Sequence, residues 1–172
     1  MKEPARKGRK SIARPKPRPQ CAALPYRVAA DLEILLVTSR ETGRWVIPKG
    51  WPMKGRTRRE AAAIEALEEA GVEGRMTRKA VGAYDYLKVL RSGESQRCRV
   101  TVYAVEVMLQ HRVWREQDQR SSQWFVWDAA AAAVREPGLG RLIRKFAVEV
   151  SSGRTTAPDG AAHEIRPPRG SD

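Results

Sequence analysis

Apolar and polar positions change their spacing several times along the chain, and each change marks an element. Residues 21–28 and 32–39 are short runs of strand-forming side chains, parted by an Ala-Ala-Asp turn. Residues 45–47 are a brief apolar stretch that Pro48 stops. Over 57–70 the spacing becomes helical. Thr57 and Glu60 fit a capping box, in which each side chain satisfies an orphan N–H at the helix start, and Gly71 supplies the stop. Residues 80–90 and 100–109 read as strands, the second strongly alternating, and a turn at Ser92-Gly93 predicts a hairpin. Residues 124–127 form a further strand that runs into Asp128 and an Ala-rich helix. Pro137-Gly138 ends that helix, and 139–150 is a final one. Strands outnumber helices and are interleaved with them. The predicted class is α/β or α+β, a mixed sheet covered by helices.

Composition narrows the picture. A chain of 172 residues, 41% hydrophobic and 31% charged, suits one domain with short appendages. The formal net charge is +13. Residues 1–20 hold eight bases against one acid, with prolines at 4, 15, 17 and 19, and predict an extended, disordered basic arm. Such an arm is a solvated tail or a tether to nucleic acid. Residues 151–172 are turn formers without periodicity and predict a disordered tail. The domain then spans 21–150, where 22 bases against 16 acids should still attract anions. Cys21 and Cys98 are too few for a disulfide framework or a cysteine-only zinc site. No apolar run has the length of a signal peptide core or of a membrane span. These features predict a soluble, cytoplasmic protein that does not engage a membrane.

The candidate chemistry lies in residues 49–72. At about 100° per residue, Glu65, Glu68 and Glu69 fall within one third of the helix circumference. Ala63, Ile64, Leu67 and Ala70 lie opposite, so the expected arrangement buries that apolar face and presents the carboxylates away from it. Three like charges so close raise one another's pKa, and arginines or an oxygen-liganded divalent metal would relieve them. A loop carrying Lys49, Lys54, Arg56, Arg58 and Arg59 leads into the helix, and its backbone amides and cations suit phosphate. An acidic face beside a basic loop is what metal-dependent phosphoanhydride hydrolysis requires.

This segment resembles the Nudix box, G-x5-E-x7-R-E-U-x-E-E-x-G-U with U aliphatic. Gly50, Glu65, Glu68, Glu69, Gly71 and Val72 match it. Arg56 stands where the first Glu belongs, Ile64 where the Arg belongs, and Ala66 at the inner aliphatic position. In the family the missing Glu and Arg commonly pair as structural support, so losing both strands neither charge. Further matches are Cys21 to Arg27, Glu33 to Arg40, Arg44 to Pro48, and Trp124 to Asp128. Together they resemble the diphosphoinositol polyphosphate phosphohydrolase branch of the Nudix superfamily over about residues 20–148.

The resemblance implies a Nudix-type sheet sandwiched between helices. It also implies Mg²⁺, with Mn²⁺ an alternative, held by the Gly50 carbonyl, Glu65, Glu68 and Glu69. Glu68 or Glu69 is the implied general base. Arg27, Ser39 and Arg40 match polyphosphate-gripping positions, Lys49, Lys54 and Arg58 join them as substrate-binding candidates, and Arg18, Arg97 and Arg99 are looser ones. Trp51 is placed either to stack on a nucleobase or to pack over the loop. Trp124 and Trp127 are expected in the core, while His111 and His163 are isolated. The implied reaction is hydrolysis of a phosphoanhydride in an inositol pyrophosphate, a dinucleoside polyphosphate or an RNA 5′ end. The competing reading is a Nudix-like module that binds nucleic acid or nucleotides without hydrolysis. Oligomeric state is left open.

Overall fold

A computed structural model describes residues 15–153. At its centre lies β1 (Arg18–Val28), whose residues 20–26 are all buried because both faces of the strand are covered. It runs antiparallel to β2 (Leu32–Thr38) and parallel to β7 (Ser95–Gln110). On the edge of β2 opposite β1 lies β8 (Ser122–Val126), while β3 (Trp45–Val46) pairs with the end of β2 on its other edge. The long β7 pairs with β5 (Val72–Met76) and with β6 (Gly82–Val89) in the expected hairpin, closed by Gly93 at φ 85°. The two-residue β4 (Lys49–Gly50) pairs with β1 and sets Gly50 opposite Cys21.

Alternation along β1 splits the interior into two cores. Ala22, Leu24 and Tyr26 face α2 (Trp127–Ala133) and α3 (Pro137–Ser151), while Cys21 and Ala23 face α1 (Arg58–Ala70). The result is the expected mixed sheet between helices.

Several expectations need correction. The strand begins at Arg18, so the last three residues assigned to the arm are sheet: Arg18, Pro19 and Gln20 pair with Cys98, Arg99 and Val100. Residues 1–14 of the arm and 154–172 of the tail lie outside the described residues. Ser151, assigned to the tail, is the last residue of α3. Pro137 opens α3 at its first turn, where proline's missing N–H costs nothing, rather than only ending α2, which stops at Ala133. Trp127 starts α2 instead of closing the strand. Trp124 and Trp127 are half-buried and pack against different cores. Among the described residues, no helix is long and apolar enough to cross a membrane.

Candidate active site

The helix that carries the carboxylates starts and stops as its sequence dictates. The Glu60 N–H donates to Thr57 Oγ1 at 3.2 Å, and the Thr57 N–H donates to Glu60 Oε2 at 2.7 Å. Gly71 ends the helix in the left-handed region at φ 65°. The buried face differs from the expected one. Ala61, Ala62, Ala66 and Ala70 are buried and Glu69 with them, whereas Ile64 and Leu67 are only half-buried. Small side chains let α1 approach β1 closely, and that approach carries Glu65 and Glu69 inward along the sheet. At Gly50 the fit is so close that an added Cβ would lie 1.8 Å from Glu65 Oε1. Only glycine permits this contact.

Cations hold the acids in place. Glu69 accepts the Lys49 N–H on Oε2 at 3.1 Å and pairs with Arg120 through Oε1. Arg120 also donates from Nε to Glu116 Oε2 at 2.6 Å and from Nη1 to the Thr38 carbonyl at 2.9 Å. Glu68 pairs with Arg115, and its carbonyl accepts the Glu116 N–H at 3.1 Å. Arg40 lies 3.5 Å from Glu116 and donates to Gln119. Burial raises the Glu65 pKa to about 7, and the charges of Glu69, Glu68 and Glu116 add to it. Burial also raises that of Glu69, against the opposing pull of Arg120 and Lys49. Burial pushes the Lys49 ammonium down, and Glu69 and Glu136 push it back up.

Of the residues expected at the site, Ser39, Arg40, Lys49, Gly50, Glu65, Glu68 and Glu69 line one cleft of about 330 Å³. Glu116, Arg120, Arg44, Trp51 and Lys88 line it too. Three expected residues do not. Arg27 pairs with Glu33 at 2.5 Å and covers the Trp124 ring at 4.2 Å. Lys54 is exposed in the turn before α1, and Arg58 is the first residue of that helix. Arg97 and Arg99 are both paired with Asp85, whereas Arg18 lies 4.4 Å over Trp51 at the cleft's edge.

Glu116, Arg115 and Arg120 are the residues that sequence reasoning missed. They sit on the loop between β7 and β8, about fifty positions from their partners on α1. Their one visible signal is the dense charge of R-E-Q-D-Q-R between two strands. Among the described residues, no three acidic, His or Cys side chains converge on a common ion position, because Glu68 and Glu69 are turned onto arginines. The donor set nevertheless fits a hard divalent cation: the carboxylates of Glu65, Glu68, Glu69 and Glu116 and the Gly50 carbonyl are all oxygen donors, and the charged form of Glu65 is destabilised by burial and by like charge.

Comparison with known proteins agrees with this geometry. The NUDIX domain family matches residues 17–146. Nudix hydrolase 13, a mitochondrial protein of Arabidopsis thaliana, is 27% identical over 157 residues, covering 81% of this chain and 78% of that protein. Diphosphoinositol polyphosphate phosphohydrolase 3-beta of Homo sapiens is 30% identical over 109 residues, 62% of each chain. The crystal structure of a C. elegans Ap4A hydrolase binary complex superposes with a TM-score of 0.61 at 20% identity, covering 78% of this chain and 98% of that one, a likeness of fold. The family match spans most of the described residues and includes the glutamate-bearing helix, so the chain belongs to the Nudix hydrolase family.

Proposed function

We propose that this chain uses Mg²⁺, or Mn²⁺ in its place, to hydrolyse a phosphoanhydride bond in a small, highly anionic substrate, an inositol pyrophosphate or a dinucleoside polyphosphate. The observation that carries the reading is the pairing, in one cleft, of the carboxylates of Glu65, Glu68, Glu69 and Glu116 with cations that include Arg40, Lys49 and Lys88. The human relative is named for diphosphoinositol polyphosphate and the C. elegans neighbour in fold for Ap4A, which fall in the same two substrate classes.

The residues divide the work. Glu65, Glu68, Glu69 and the Gly50 carbonyl would hold the cation, which supplies acidification of water and neutralisation of the anhydride's charge. Glu68, half-buried and paired with an arginine that is 71% exposed, would take a proton from the attacking water. Glu69, held at both oxygens, is the better fixed ligand. Exposed Arg40 and half-buried Ser39 line the cleft and would grip a phosphate there, and Lys49 adds a cation to the same cleft.

The test is turnover of inositol pyrophosphates, dinucleoside polyphosphates, ADP-sugars and 5′-triphosphate RNA, with Mg²⁺, with chelator, and with Glu69→Gln. Metal-dependent turnover that falls by about 10²-fold or more in the variant is expected. The binding-module reading gains instead if no substrate is cut while folded protein holds polyanions in a salt-sensitive, chelator-resistant way.

A further inference from the structure

Arg120 occupies a place that the helix motif does not provide for. Its side chain is only 6% exposed, yet it reaches three elements at once. One guanidinium meets Glu69 on α1, Glu116 on the β7–β8 loop, and the Thr38 carbonyl on β2. The other oxygen of Glu69 is taken by the Lys49 N–H of β4. Glu69 is therefore held from two directions. Glu68 instead pairs with Arg115, whose side chain is exposed to solvent.

We propose that Arg120 is the positioning residue of the acidic centre. It fixes the orientation of Glu69 and draws Glu116 in as a fourth carboxylate, the role of a brace that α1 cannot supply with Ile64 at the motif's arginine position. The inference rests on the hydrolase reading above.

Two other roles fit the geometry less well. An arginine that grips substrate needs N–H groups facing the cleft, but Arg120 directs Nε, Nη1 and Nη2 to protein acceptors. An arginine that only ties the loop to the sheet needs no contact with Glu69. The loop is already anchored there by the Thr38 N–H on the Ser121 carbonyl at 2.9 Å and by the Ser121 N–H on Thr38 Oγ1 at 2.9 Å.

The experiment compares Arg120→Gln and Arg120→Lys, each alone and combined with Glu69→Gln. It measures kcat, KM, Mn²⁺ affinity by calorimetry and Tm without metal. Arg120→Gln should lower kcat about tenfold to a hundredfold, because misorientation is costly, with KM changed less than about threefold. Its Mn²⁺ affinity should change less than kcat, since lost support for a ligand and loss of a competing positive charge oppose one another. Arg120→Lys should recover part of kcat. The double variant should be no slower than Glu69→Gln alone, because the two residues act as one unit.

A rise in KM with kcat retained would mean that Arg120 binds substrate, and would overturn the proposal. Multiplying losses, or wild-type values throughout, would also overturn it. If Arg120→Gln does not fold, Arg120→Lys alone and with Glu69→Gln carries the same cycle. If the wild type turns over no substrate, the hydrolase reading fails separately. The cycle in Mn²⁺ affinity then decides: coupling between Arg120 and Glu69 supports the positioning role, and additivity rejects it.

Discussion

At Gly50 one absent methyl group sets the reach of a carboxylate. Because an added Cβ would sit 1.8 Å from Glu65 Oε1, Gly50→Ala must push Glu65 away from the cleft. Mn²⁺ affinity should then fall by about tenfold or more, as for loss of a ligand's support. Calorimetry on the folded variant checks this, and unchanged affinity would show that Glu65 does not hold the ion. The same residue predicts a pH dependence. Burial, with Glu69, Glu68 and Glu116 nearby, raises its pKa from 4.5 to about 7 in the absence of metal. A carboxyl raised on folding contributes stability that is fully present below its ordinary pKa and is lost as pH climbs through the folded value. The Tm of metal-free protein should therefore fall between pH 5 and pH 8. Glu65→Gln should flatten that fall, and an unflattened slope would assign it to another group. The glycine and the three glutamates were legible in the sequence because the box fixes their spacing. Glu116 and Arg120 were not, because their importance comes only from contact with residues about fifty positions away.

At the scale of elements, α1 shows both what a sequence discloses and what it hides. Its ends were legible: Thr57, Glu60 and Gly71 act through neighbours within five residues. Thr57→Ala should lower unfolding free energy by about 1 kcal/mol, the usual worth of such a cap, with kcat nearly unchanged. Chemical denaturation measures it, and a loss of activity without loss of stability would mean that the cap also aligns the carboxylates. The buried face was not legible. A stripe of alanines has little hydrophobic contrast, so Ile64 and Leu67 pointed to the wrong side, and Glu69 turned out to be buried with the alanines. The strand β5 was missed because V-E-G-R-M has no clear alternation, and its pairing with β7 shifts register between Glu73 and Gly74. β4 was missed because two residues carry no period at all.

Across the whole molecule, the layered architecture was legible from interleaved strands and helices, while the strand order was not. The parallel pairing that sets Arg18 beside Cys98 joins segments far apart in the chain, and no local pattern encodes it. Charge is the other property of the whole molecule, and it acts beyond contact distance. The net charge is +13, and residues 1–14 contribute six bases against one acid. A positive field should concentrate an anionic substrate at the cleft, raising kcat/KM without touching kcat. Replacing Lys2, Arg6, Lys7, Arg9, Lys10 and Arg14 by Gln keeps the chain length and removes six positive charges. At an ionic strength of about 0.01 M, where the screening length is about 30 Å, kcat/KM should fall several-fold. At about 1 M, where that length is about 3 Å, variant and wild type should coincide. A deficit that persists at high salt would mean that these residues touch the substrate directly, and equal values at both salts would mean that the field of the remaining chain suffices.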